Sequence, residues 1–168
     1  MELWDVYDAN RKPLHRTHVR GLPMRSGEYH MTAFVWIFNS AGEVLLTKRS
    51  PEKLAFPNFW ALTGGAVLAG ESSLCAARRE VREETGIRAE LQEFVLMDSY
   101  KRKNCICDLY FLKKDAPLST LVLQPGETCD ARWVSRKEFE KMAERKEIAD
   151  PDVQCYRQLG EKTLPYFR

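Results

Sequence analysis

Residues 72–86 constrain the fold most tightly, because a start signal, a stop signal and a periodic apolar stripe coincide there. Ser72 or Ser73 can cap the free amides of a first turn, and Gly86 suits the left-handed residue that ends a helix, so a helix is predicted to Thr85. At about 100° per residue, Leu74, Ala77 and Val81 form the apolar stripe, while Glu80, Glu83 and Glu84 fall within an adjoining arc of roughly 100°. Such a helix must bury its stripe against another layer. Strand candidates lie on both sides of it. Met31–Phe38 and Val44–Thr47, joined by a turn at Asn39-Ser40-Ala41-Gly42, predict a β-hairpin in a central sheet, and Phe94–Ser99, Cys105–Leu112 and Ala131–Val134 predict further strands. Ser135-Arg136-Lys137-Glu138 is a capping box that predicts a helix towards Lys146. Asp150-Pro151 predicts a last helix with Val153, Tyr156 and Leu159 on one stripe. Mixed strands flanked by helices make the expected class an α/β or α+β sandwich.

The 168 residues suit one domain, since a single core keeps growing to roughly 250 residues. Residues 1–29 read as an N-terminal strand and loop extension, polar and interrupted by Pro13, Gly21, Pro23 and Gly27. A chain 44% hydrophobic and 30% charged is not a disordered one. The net charge of only +2, with no helix-turn-helix or basic stretch in view, gives no reason to expect a nucleic-acid partner. No apolar run approaches the roughly 20 residues that cross a bilayer, and the amino end lacks the order of a secretory signal, so a cytoplasmic protein with no membrane partner is expected. The five cysteines, an odd number without CxxC pairs, read as free thiols rather than a disulfide framework or a structural zinc site. Cys105-Ile106-Cys107 places two thiols on one face of its strand, with metal binding as the less favoured reading.

The chemistry concentrates in Gly64-Gly65-Ala66-Val67-Leu68-Ala69-Gly70-Glu71 and the helix that follows. Like charges at i,i+3 and i,i+4 cost a few tenths of a kcal/mol per pair on an exposed helix, a penalty that a bound cation would reverse. Hard oxygen ligands select magnesium or manganese. An acidic run is also what a solvated helix face looks like, and Arg79 with Glu83 is an ordinary i,i+4 pair. The glycines tip the balance, because backbone without Cβ atoms can approach a metal or a phosphate closely.

These residues resemble the Nudix hydrolase signature. Gly65 is followed after five residues by Glu71, and after seven more by Arg79-Glu80-Val81, then Glu83-Glu84, Gly86 and Ile87. The resemblance covers residues 64–87 as a loop–helix–loop and extends over most of the chain through Lys48-Arg49-Ser50, Phe56-Pro57, Trp60 and Arg132-Trp133-Val134. It implies a Nudix α/β/α sandwich with a mixed central sheet, and hydrolysis of a nucleoside diphosphate linked to another moiety. It further implies Glu80, Glu83, Glu84 and the Gly65 carbonyl as ligands of Mg2+, with Mn2+ as a substitute, Arg79 holding the carboxylates and Glu71 supporting the helix. The general base is expected either at Glu127, in the turn Gln124-Pro125-Gly126-Glu127, or at Glu83 or Glu84; a solvated turn carboxylate is the other reading of Glu127.

Leu3-Trp4-Asp5-Val6-Tyr7-Asp8, Glu28-Tyr29-His30 and residues 53–60 resemble the Nudix subgroup related to isopentenyl diphosphate isomerase. That isomerisation needs a cysteine and a histidine where this chain has Gly64 and Ala66, so hydrolysis is favoured over it. A non-catalytic nucleotide-sensing module is the third reading, and the three mutually repelling carboxylates weigh against it. The extension could also serve a homodimer, which is common in the relatives. Lesser candidates are His30 as ligand or substrate contact, Phe59, Trp60 and Tyr100 as stacking faces, and Lys48, Arg49, Lys101 and Arg102 as phosphate contacts; packing and surface charge are the favoured readings of them.

Overall fold

The computed structural model describes residues 2–163 and 165–167. Strands β1 (Leu3–Tyr7) and β2 (Pro13–Val19) form a separate antiparallel pair. The main sheet follows the order β5-β4-β3-β8-β7, with β6 added to β3 and β9 to β4. Its strands are β3 (His30–Phe38), β4 (Val44–Arg49), β5 (Trp60–Ala61), β6 (Thr63–Ala66), β7 (Phe94–Arg102), β8 (Cys105–Lys113) and β9 (Thr128–Val134). The sheet is mixed because β3 and β8 run parallel over the whole of β3, whereas its other strand pairs are antiparallel.

Alternation along β3 divides the core. Met31, Ala33, Val35 and Ile37 pack against Ala76, Ala77 and Val81 of α1 (Ser73–Thr85). Trp36 and Phe38 point the other way, to Phe139 and Met142 of α2 (Arg136–Glu144) and to Val153, Cys155 and Leu159 of α3 (Asp150–Leu159). Successive side chains of a strand leave opposite faces, so one strand seeds both layers. The result is a mixed sheet between α1 and the α2–α3 pair.

Several elements depart from the sequence expectation. β3 and β4 are joined by the anticipated turn but pair only at Phe38 with Val44, after which β4 turns to β9 and β3 to β6 and β8. The first 29 residues hold a full hairpin rather than one strand and a loop, fastened at Tyr7 and Tyr29, whose backbones exchange bonds of 2.8 and 2.9 Å. β5 and β6 are additional strands in the approach to α1. At α2 the Ser135 hydroxyl accepts the Glu138 amide at 3.3 Å, while the Glu138 carboxylate pairs with Arg132 and Arg145 instead of closing the box. The helix stops at Glu144, two residues short of Lys146, which adopts φ 57°. No helix among the described residues is long and apolar enough to cross a membrane.

Candidate active site

α1 is positioned by its own ends. The Ser72 hydroxyl accepts the Cys75 amide at 3.2 Å, and Gly86, at φ 73°, donates its amide to the Arg82 carbonyl at 2.9 Å. Between these caps the Val81 side is buried, and Glu80, Glu83 and Glu84 turn towards a cleft of about 530 Å³. β6 forms the opposite wall. Gly64 pairs with Phe34, and a Cβ on Gly64 would collide with the Ala33 carbonyl, so the approach of β6 to β3 requires glycine. A Cβ on Gly65 would collide with the Glu80 carboxylate, which shows how closely the loop backbone faces the helix acids.

Arg79 ties the loop to the helix. Its Nε and Nη2 donate to the two oxygens of Glu71 at 3.0 and 2.9 Å, Nη2 also reaches the Ala66 carbonyl at 2.9 Å, and Nη1 donates to Glu80 at 2.8 Å and Glu83 at 3.3 Å. The hydrogen bonds to Glu71, above all, raise the guanidinium pKa and hold it charged. Glu71 additionally accepts the Leu68 amide at 3.1 Å and closes the loop on itself.

The three helix acids differ in environment. Glu84 is buried, its Oε2 accepts the Gly64 amide at 3.3 Å, and burial followed by the Glu80 charge pushes its pKa well up. Burial also raises the Glu80 pKa against the opposing pull of Arg79. Glu83 stands at the mouth, its side chain 45% exposed. Two desolvated carboxylates beside a glycine backbone, with one guanidinium shared among the acids, leave negative charge that a divalent cation would balance. Among the described residues no three acidic, His or Cys side chains form a ready cage, so binding would draw Glu83 and its neighbours inward.

Glu127 lies across the cleft with its carboxylate engaged by the Lys53 ammonium, and its carbonyl accepts the Ser50 amide at 2.8 Å. Arg49 and His30 also line the cleft. Burial lowers the His30 pKa and favours neutral imidazole, and its ring stacks on Trp4 with centroids 4.0 Å apart. Other candidates lie elsewhere. The Trp60 ring lies under the Arg132 guanidinium at 5.3 Å, the Tyr100 hydroxyl meets the Cys155 thiol at 3.0 Å, and the Lys101 ammonium donates to the Ala9 carbonyl at 3.2 Å.

Sequence reasoning missed Asp152, which reaches the cleft from the first turn of α3. It is 3% exposed, and its Oδ1 has no hydrogen-bond partner. Burial lifts its carboxyl to about 7 despite the Leu62 amide and the charges of Arg49 and Arg102. An Asp after Pro at a helix start looks like an ordinary partner of the helix dipole, so its burial left no local signal. Trp4 was equally illegible in role, because the hairpin that brings it to the cleft is fastened by contacts remote in sequence.

Known proteins resemble this chain in sequence and in fold. The NUDIX domain family matches residues 28–158. An uncharacterized Nudix hydrolase of Listeria monocytogenes is 41% identical over 143 residues, covering 84% of this chain and 85% of its own. An isopentenyl-diphosphate Delta-isomerase of Paenarthrobacter aurescens is 31% identical over 143 residues, covering 80% of this chain and 76% of its own. A crystal structure of a Deinococcus radiodurans protein superposes with a TM-score of 0.79 at 24% identity, over 95% of this chain and 99% of that one. With its signature loop and helix facing each other across a cleft, the chain belongs to the Nudix family and has the Nudix fold.

Proposed function

We propose that this protein is a Mg2+-dependent pyrophosphohydrolase of the Nudix type, cleaving a nucleoside diphosphate linked to a further group. The observation that carries the reading is the pair of desolvated carboxylates, Glu80 and Glu84, facing the Gly64–Gly65 backbone across a cleft. Glu80, Glu83, Glu84 and the Gly65 carbonyl would hold the cation, Mg2+ or Mn2+. When bound, the ion neutralises charge on the diphosphate oxygens and lowers the pKa of a water molecule.

The remaining work falls to the chain itself. Arg79 holds Glu71, Glu80 and the Ala66 carbonyl in one plane of contacts, so the loop and the helix acids keep their separation. Arg49 and Lys53 line the same cleft and suit the phosphate charge of the substrate. The proton of the attacking water passes to a carboxylate. Glu127 takes that role once substrate phosphate draws Lys53 away from it; otherwise Glu83, the most exposed of the helix acids, is the base. The N-terminal extension, the expected surface for a homodimer, also lines this cleft through Trp4.

The isomerase relative supports a second reading, carbon–carbon double-bond isomerisation of an isoprenoid diphosphate. Against it stands Gly64, where any side chain would strike the backbone of β3, so the catalytic cysteine of that reaction has no room. A nucleotide sensor without turnover is the third reading, which metal-dependent turnover would exclude. The test is phosphate and nucleotide release from a panel of nucleoside di- and triphosphate derivatives, with and without Mg2+. Cleavage should require the metal and fall at least a hundredfold in Glu83→Gln, an order of magnitude expected for a group that holds or activates the reacting centre. Undiminished rates in that variant would sink the assignment.

A further inference from the structure

A second cluster of reactive side chains lies on the α3 face of the sheet, outside the carboxylate site. Cys105 and Cys107 are two residues apart on β8 and project to one side, with their sulfurs 3.5 Å apart. The Thr32 hydroxyl lies 3.1 Å from Cys105 Sγ, and Tyr100 pairs with Cys107 across the neighbouring strand. A pocket of about 380 Å³ opens over the pair, bordered by His30, Thr32, Arg102 and Asn104. The two thiols share a proton unequally. The hydrogen bond from Cys105 is the largest influence that brings Cys107 down to about 7, with Thr32 and the Arg102 charge acting in the same direction, while Cys105 is raised. Hydrogen bonding and the Arg102 charge thus favour the thiolate form of Cys107.

The spacing discriminates between the two things a thiol pair can do. A disulfide needs its Cβ atoms about 3.8 Å apart and its sulfurs at about 2.05 Å. Side chains two apart on a strand leave the backbone at points separated by roughly 6.6 Å. β8 is hydrogen-bonded to β3 on one side and β7 on the other, so it cannot buckle to close that gap. A cation with sulfur bonds of about 2.3 Å in tetrahedral geometry holds its sulfurs about 3.75 Å apart, within a few tenths of an ångström of the pair as it stands. The spacing suits a chelate and opposes a bridge.

We propose that Cys105 and Cys107 form a bidentate site for a thiophilic d10 cation, zinc or its analogue cadmium, at the inner end of this pocket. Among the described residues no third His, Cys, Asp or Glu joins them in a ready cage, so the pocket side of the cation is left to water, with His30 opposite Cys105 in the strand register as the nearest nitrogen ligand by position. Sulfur selects soft ions where the oxygen-lined cleft selects hard ones, so the two sites are told apart by their cations although His30 and Thr32 border both. The chemistry stands whether or not the cleft is hydrolytic.

The test titrates the reduced, metal-free, full-length protein with Cd2+ in excess Mg2+ and follows the thiolate-to-cadmium charge-transfer absorption in the near ultraviolet. One Cd2+ per chain should saturate the band, and Zn2+ in large excess should compete with it. Cys105→Ser and Cys107→Ser should each weaken binding at least tenfold, whereas Cys129→Ser, at an exposed position, should leave it unchanged. Cys107 is buried, so if its variant fails to fold, Cys105→Ser at the half-buried position decides alone. No band in the wild type, or a band that survives Cys105→Ser, overturns the proposal.

Discussion

Asp152 illustrates how much a single side chain can hide from its neighbours in sequence. Its carboxyl titrates at about 7 in the fold against an ordinary 3.8, because burial disfavours the charged form. The folded state therefore binds the proton more tightly than the unfolded chain, and stability must fall as pH rises from about 4 to about 7 and level off above. Asp152→Asn should remove that contribution. The variant's stability relative to the wild type should improve by on the order of a few kcal/mol between the two ends of the window, as read from urea midpoints at each pH. A constant difference across the window would show that Asp152 does not titrate there. Gly64 and Gly65 are the opposite case. Their role was legible because the lack of a side chain has few explanations beside an acidic helix, and the clashes that a Cβ would make at both positions give the physical reason.

At the scale of elements, α1 was readable to within one residue because its stops are local chemistry. Ser72→Ala should cost about 1 kcal/mol by orphaning the Cys75 amide. Gly86→Ala should cost more, about 1–2 kcal/mol, because it forces a Cβ into the left-handed region and within 2.9 Å of Val122. Both would register as lower urea midpoints at unchanged slope, and a Gly86→Ala variant as stable as wild type would refute the account. The strands were less legible. β6 is Thr63-Gly64-Gly65-Ala66, a stretch of low strand propensity that pairs only because β3 lies beside it. The β3–β4 hairpin was expected from its turn, yet a turn controls only the first pair of residues, and the remaining edges go to partners far along the chain.

For the molecule as a whole, the N-terminal hairpin braces the core. Arg11, at the tip between β1 and β2, donates to both oxygens of Asp108 at 2.8 and 2.6 Å, and the Ser73 hydroxyl donates to the same carboxylate at 2.5 Å. Asp108 is fully buried, so Arg11→Ala would leave a carboxylate in the interior without its cation, at about 2–4 kcal/mol, less than a fully buried pair because Arg11 itself is half-exposed. The hairpin also holds the glycine loop, through the Ala69 amide on the Leu3 carbonyl and the Gly70 amide on the Asp5 carboxylate. Limited proteolysis of Arg11→Ala should therefore release the first strands faster than in the wild type; identical cleavage would show that the remaining contacts suffice. None of this could be seen in residues 1–29 alone, since their partners Asp108, Ala69 and Gly70 lie elsewhere in the chain. The parallel ladder of β3 and β8 joins residues 75 positions apart, beginning with His30 and Cys105. Closing a loop of that length carries an entropy cost of about 4 kcal/mol before its contacts are counted. α1 lies inside the loop and follows β3 and β6, so the glycine wall its carboxylates face is synthesised before they are. On the ribosome, the helix signature emerges early, but its cleft must wait for Glu127 and for Asp152 of α3; until then the nascent chain carries its acids in a half-built site.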